Sequence, residues 1–241
     1  MGNGSDAAKN IAGVVLLDSD FSAMPEIVNE GRRVINNIRR AASLFLIKTT
    51  FSTILGIMTI LIGRSYPFEP IQLSLISAFG VGIPSFLLQL EPSFERADTP
   101  FLSEVLKHAV PAAFTITTLV FLVQNIGMLA GCTDQELATI CVLTTAFNYV
   151  LAQLRVYQPV TRYRGLVVYS SMFAFLASIV LVGRWLLDLT DLRLELVAVV
   201  CLAVQISGAV QSLYRRLYSW LIEKFNAWRE ARRLKKSAQE G

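Results

Sequence analysis

Histidine is close to absent from this 241-residue chain; His108 is the only one. A lone imidazole with no cluster of partners excludes a histidine-based metal centre. Cysteine is scarce as well. Cys132, Cys141 and Cys201 show no CxxC spacing, so they read as free thiols, with a Cys132–Cys141 pairing near the outer surface as the alternative. Charge is thin: 17% of residues are charged against 54% hydrophobic, and the mean hydropathy is +0.52. That balance excludes an ordinary soluble domain. The opening residues, MGNGSDAAKN, are small and polar and lack the apolar stretch of a cleavable signal peptide.

What the chain does have is six apolar runs, at 41–62, 71–90, 109–129, 137–153, 165–187 and 194–213. Each approaches the ~20 residues that a membrane-spanning helix needs; the fourth is short. Six spans place both termini on one side. Arg32, Arg33, Arg39, Arg40, Arg96, Lys107, Arg155, Arg162, Arg164, Arg215 and Arg216 flank one face, followed by a basic tail. Only Arg64 and Arg193 flank the other, with Arg184 near that end of its span. The asymmetry predicts cytoplasmic termini. The net charge of +4 belongs to this topology and to anionic lipid, not to nucleic acid.

One stretch organises the rest. Residues 25–62 read as a single helix, charged in its first half and apolar in its second. At ~1.5 Å per residue it runs about 57 Å, against a hydrocarbon core of ~30 Å. The surplus stands outside the bilayer as a stalk. Ahead of it, Ser5 or Asp6 can cap a short helix reaching Ile11, and Val14–Leu17 reads as a brief buried strand. One helix and one strand cannot form a core, so residues 1–20 are expected to be the edge of a larger domain.

The stretch GNGSDAAKNIAGVVLLDSDFSAMPEIVNEGRRVINNIRRAASLFLIKT, with its NGSDAAK and EGRR elements, resembles the end of the phosphorylation domain of P-type cation ATPases and the start of their fifth membrane helix. The six runs then agree with the family's fifth to tenth spans. IQLSLISAFGVGIPSFLLQLEP is most similar to a bacterial subgroup, some of which are associated with calcium uptake. The resemblance implies an all-α polytopic bundle of six transmembrane helices with a small α/β remnant at its amino terminus. The implied division is 1–20 remnant of the haloacid-dehalogenase-like phosphorylation domain, 21–40 stalk, 41–213 membrane domain and 214–241 cytoplasmic basic tail. The family's DKTGT aspartate, GDGVND motif, TGE loop, nucleotide-binding domain and first four spans do not occur in this sequence. Met1 falls where the family has the internal methionine of an AMG run. The resemblance therefore implies a carboxyl-terminal part that carries stalk and ion pathway, without a catalytic residue. The missing amino-terminal part is a partner, and Mg and ATP are implied for the intact enzyme only.

Candidate ion-site residues follow from chemistry and from the resemblance together. Pro84 lacks an N–H and clashes with the carbonyl of Gly80; Gly80 and Gly82 weaken the helix further. Unwinding at Gly80-Val81-Gly82-Ile83-Pro84 would free carbonyl oxygens, hard ligands for cations, at membrane depth. The alternative is a proline kink or a small-residue packing groove. Thr49, Ser52 and Thr53 share a face of the first span, and Ser74, Ser77 and Val81 share one of the second. By resemblance, Thr49, Ser52, Ser77 and Val81 occupy places where other calcium pumps of the family carry amide or carboxylate ligands. Neither span holds a carboxylate, which argues for one site instead of two. The alternative for each hydroxyl is a bond back to its own helix. Lys48 either acts as a built-in counter-cation or snorkels to the interface. Glu91 stands either at an ion entrance or in solvent. Gln124, Asn125 and Asn148 suggest interhelical hydrogen bonds.

The resemblance implies an ATP-driven cation pump component in a bacterial plasma membrane. Calcium as the first expectation for the ion rests on that resemblance only, since the hydroxyl-rich, carboxylate-poor lining fits a high-affinity calcium site poorly. Two other readings stay open: a stand-alone six-span channel or secondary transporter, though no inverted repeat relates its halves, and a non-functional fragment.

Overall fold

The computed structural model describes residues 2–18, 20–91, 95–96, 100–190 and 193–240, with the side chains of 184, 230–231 and 233–240 outside that description. The expectations that rest on Arg184 and on the Arg233, Lys235 and Lys236 side chains of the basic tail therefore lie outside the described residues, as does part of the loop after Glu91.

Helix α1, Asp6–Ile11, begins at Ser5, whose hydroxyl accepts from the Ala8 N–H at 3.3 Å. No strand forms among the described residues that follow. Val14 is 58% exposed and Leu17 84%, which corrects the expected α/β remnant to a helix and an extended segment. The reason is pairing: a strand needs a neighbour to take its backbone groups, and these residues offer none.

Asp20 then accepts from the Ser22 N–H (2.8 Å) and hydroxyl (2.6 Å), holding a short 3-10 turn, Phe21–Ala23. Helix α2 follows without interruption over Met24–Ile62, 39 residues or about 58 Å. Pro25 sits in its first turn, where a missing N–H costs nothing. Gly63 ends it with φ 71°, a conformation that favours glycine. Leu44, Ile47, Phe51, Leu55 and Thr59, spaced three or four apart, form its buried stripe against α5.

The second span is broken into α3, Pro70–Ser77, a wide π turn, Ala78–Gly82, and α4, Ile83–Leu88. Helices α5 (Phe101–Leu129), α6 (Asp134–Val156), α7 (Arg162–Leu186) and α8 (Leu194–Glu240) complete the bundle. The short fourth run becomes a full span because Thr133 and Glu136 form a capping box at the start of α6. Tail and last span are one helix. Six helices are long and apolar enough to cross a membrane. Helices α5 and α6 are the most enclosed, α5 packing on α2, α6 and α8.

Polar clasps close both ends. At one end Arg64 donates to Asn125 (2.6 Å), Gln72 to the Leu187 carbonyl (2.8 Å) and Arg193 to Glu136 (2.9 and 3.0 Å). The opposite end carries Arg40, Arg155, Arg164 and Arg215 and is the basic one. There Glu91 is no solvated charge: its carboxylate receives Arg164 Nε at 2.5 Å and the Thr161 hydroxyl at 2.9 Å. Arg164 is buried, and its Nη1 donates to the carbonyls of Tyr157 (3.2 Å) and Pro159 (2.8 Å).

Candidate functional site: a capped break in the second span

The break is a widened turn, not an unwound segment. Gly82 (φ −64°, ψ −63°) and Ile83 (φ −60°, ψ −50°) stay in the helical region. The Ile83 N–H donates five residues back, to the Ala78 carbonyl. This corrects the unwinding that Pro84 and the glycines suggested. The wider turn moves the Gly80 carbonyl away from the proline ring while preserving most of the hydrogen bonds.

Two carbonyls nevertheless lose their helical donors. Gly80 would receive from residue 84, which is proline. Phe79 would receive from Ile83, whose N–H goes to Ala78. Both are met by one side chain from α6: Gln153 Nε2 lies 2.7 Å from the Gly80 oxygen and 3.4 Å from that of Phe79. Gln153 is buried, and its own Oε1 has no partner among the described residues. One turn back on α6, the Tyr149 ring packs on Gly80; a Cβ there would lie 3.2 Å from the ring. A larger residue there would push the ring back by a few tenths of an ångström, so glycine favours the close approach. The Tyr149 hydroxyl is also buried without a partner. Tyr149 in turn meets Phe51 of α2 edge to face, centroids 6.0 Å apart. A continuous packed path thus joins stalk helix to break: Phe51, Tyr149, Gly80.

The other expected site residues distribute unevenly. Gly80, Val81 and Pro84 are buried at the break; Gly82 is exposed. Ser52 and Ser77 are half-buried, Thr49 and Thr53 exposed. Thr49 donates to the carbonyls of Phe45 (3.2 Å) and Leu46 (3.3 Å), Ser52 to Thr49 (3.2 Å) and Ser77 to Leu73 (2.5 Å). These hydroxyls are therefore turned onto their own helices. Lys48 is half-buried on α2. Asn148 bonds back to Thr144 (2.8 Å), while Gln124 reaches the Ser65 carbonyl across the bundle (3.5 Å). Among the described residues there is no cluster of three or more His, Cys, Asp or Glu side chains. The oxygens at the break are carbonyl, amide and phenol. Gln153 and Tyr149 were not singled out from sequence. The signal for Gln153 was a polar residue in the last turn of an apolar run, beside a helix known to contain an orphan carbonyl.

At the basic end α2 grips the same broken span. Arg33 and Asn37 donate to the Gln89 carbonyl at 3.2 and 3.4 Å. Asn36 donates to the Glu95 carbonyl at 2.9 Å, and Arg40 lies 3.7 Å from the Glu95 carboxylate. Burial pushes the phenol of Tyr157, just beyond α6, above its ordinary range and keeps it neutral.

No family model matches the chain. Curated relatives do. A calcium-transporting ATPase of Mycolicibacterium smegmatis is 37% identical over 226 residues, covering 87% of this chain and 28% of the relative. A probable cation-transporting ATPase of Streptococcus pneumoniae is 37% identical over 186 residues, covering 74% and 24%. A calcium-transporting ATPase of Mycobacterium bovis is 35% identical over 226 residues, again 87% and 28%. The chain is homologous to the bacterial cation-transporting P-type ATPases. It spans about a quarter of the length of these relatives. The six spans and the 39-residue α2 describe an integral membrane segment with a long rod at one side.

Proposed function

We propose that this chain supplies the stalk and part of the cation pathway of an ATP-driven pump in a bacterial plasma membrane. Calcium is the transported ion and both termini are cytoplasmic. Residues 1–20 belong to the phosphorylation domain, 21–40 to the stalk, 41–213 to the membrane domain and 214–241 to the tail. ATP and Mg act on residues outside this chain. The calcium assignment is supported by the names of the relatives, and the orientation by the distribution of Arg and Lys.

One observation carries the mechanism: the Gly80 and Phe79 carbonyls, left by Pro84 and by the wide turn without their α-helical donors, are held by the Gln153 amide, in packed contact with the rod through Tyr149 and Phe51. A carbonyl pair is a hard-oxygen ligand set. In the cation-free state the Gln153 N–H group occupies that pair. A dehydrated cation replaces it and takes the amide oxygen, now unpartnered, as a further ligand. Movement of α2 displaces Tyr149 against Gly80 and so changes the spacing of the carbonyls. Thr49, Ser52, Thr53 and Ser77 contribute by turning from their own helices toward the cation. Lys48, near the basic end of the span, offers a positive charge for the return step.

The test is ATP-driven uptake by inside-out vesicles containing the full-length pump, over a panel of Ca, Mg, Mn and monovalent cations. Calcium should stimulate uptake and ATP hydrolysis together. Pro84→Ala restores a donor to the Gly80 carbonyl; it should keep the protein folded and weaken cation affinity. Stimulation by another cation alone would reject calcium, and unchanged affinity in Pro84→Ala would reject the carbonyl site.

A further inference from the structure

At the basic end, between α2, α5, α6 and α8, lies a chamber of about 50 Å³. Its floor is apolar: Ile47, Ala112 and Ala152 are all buried. Its polar lining consists of Lys107, His108, Arg155, Arg215, Gln158 and Gln211, with no carboxylate among them. Arg155 is the decisive residue. Its Nη1 is fully enclosed and has no hydrogen-bond partner among the described residues. Arg215 lines the same chamber. A wider vestibule of about 330 Å³ shares Lys107, His108, Arg155, Val156 and Gln158 with the chamber and adds Arg39, Arg40 and Arg96. The two acidic groups of the vestibule pair with Arg40 (Glu95, 3.7 Å) and His108 (Glu104, 3.2 Å), which leaves Arg155 and Arg215 without a carboxylate partner among the described ion pairs.

A partly buried guanidinium with one enclosed, unpartnered N–H group, set beside a second arginine at the rim of an apolar floor, is costly unless an anion joins them. Arginine forks match the oxygens of a phosphate group, and basic pockets between membrane helices take anionic headgroups. We infer that this chamber binds a phosphate oxyanion, with Arg155 and Arg215 on its oxygens and Lys107 at the rim. Its source is either the headgroup of an anionic phospholipid or a soluble phosphate. The site stands apart from the break in the second span, so it holds or fails independently of the transported ion.

The intact protein in phosphatidylcholine nanodiscs allows the test. Its unfolding midpoint is followed with rising phosphatidylglycerol, or with inorganic phosphate in the buffer, and bound lipid is counted by native mass spectrometry. A saturable rise is expected with at least one. A rise with phosphatidylglycerol alone identifies a lipid headgroup, and one with inorganic phosphate alone a soluble ion; either upholds the site. Arg155→Gln should weaken that anion by roughly tenfold or more. Without anion it should raise the midpoint, because an unpaired enclosed charge is gone. Arg215→Gln, at an exposed position, should also weaken binding without threatening the fold. Lys224→Gln, on the exposed part of α8, should change neither. The inference is overturned if neither anion shifts the midpoint saturably, or if Lys224→Gln weakens binding as much as the two arginine variants.

Discussion

Helices α2 and α8 both extend well past the thickness of a bilayer, at 39 and 47 residues, yet they are built into the molecule differently. The outer end of α2 is tied across the structure: Arg33, Asn36, Asn37 and Arg40 hold Gln89 and Glu95. Its membrane half is locked by Phe51 against Tyr149. Tyr214 bonds Thr118 at 2.7 Å and Arg215 still faces α6, but past Arg215 the described polar and ring contacts of α8 are with itself. Lys224 lies over Trp220 at 4.4 Å and Arg232 over Trp228 at 4.2 Å, both four residues apart. Length alone does not make a lever. A helix transmits force where it is cross-linked at two separated points, and α2 meets that condition while the outer part of α8 does not.

The largest expected effect breaks the inner anchor of α2. Phe51→Ala empties a fully buried site and should cost about 3–5 kcal/mol in thermal or denaturant unfolding. Trp228→Ala, at a residue 50% exposed, should cost under about 1 kcal/mol in the same assay. Equal losses at the two positions would erase the distinction between the helices. Next comes the clasp at the end of the broken span. Glu91→Ala leaves the Arg164 side chain, 5% exposed, without its carboxylate and should cost about 3 kcal/mol. A loss below roughly 1 kcal/mol would show that the pair is solvated after all. Gln153→Leu keeps the volume but removes the donor to Gly80 and Phe79, for about 1–3 kcal/mol. Added cation should recover part of that loss, because it can take the place of the missing N–H.

The smallest effect sharpens the comparison at the entrance to α2. Hydrogen bonds from the Ser22 hydroxyl and N–H hold the Asp20 carboxyl below its ordinary pKa. A depressed folded-state value means that the contribution is present above the unfolded value, about 4, and is lost as pH falls through the lowered one. Amide exchange over residues 22–24 should therefore accelerate only under acid conditions, and Asp20→Asn should remove that pH dependence.

Some of this was written plainly in the chain. The change from charged to apolar residues within 25–62, with Pro25 ahead and Gly63 behind, defined one long helix, and the structure has it. The GVGIP segment announced a defect because proline lacks a donor wherever it stands. The form of the defect was not legible. Whether Gly80 unwinds or keeps a wide turn depends on which group donates to its carbonyl, and that group, Gln153, lies 73 residues away. Glu91 read as a solvent charge because its partner Arg164 was counted only as a flanking basic residue. Val14–Leu17 read as a strand because local pattern cannot say whether a neighbouring strand exists.

By itself the sequence determined that this is a six-span helical membrane chain related to cation pumps, since length, apolarity and missing N–H groups are properties of residues. Only the tertiary structure decided that the broken span is capped by α6, that the rod reaches it through one aromatic pair, and that Arg155 Nη1 is enclosed with no hydrogen-bond partner among the described residues. Those are matters of which distant groups meet, and a hydrogen bond or a ring contact has no energy until both partners are in place.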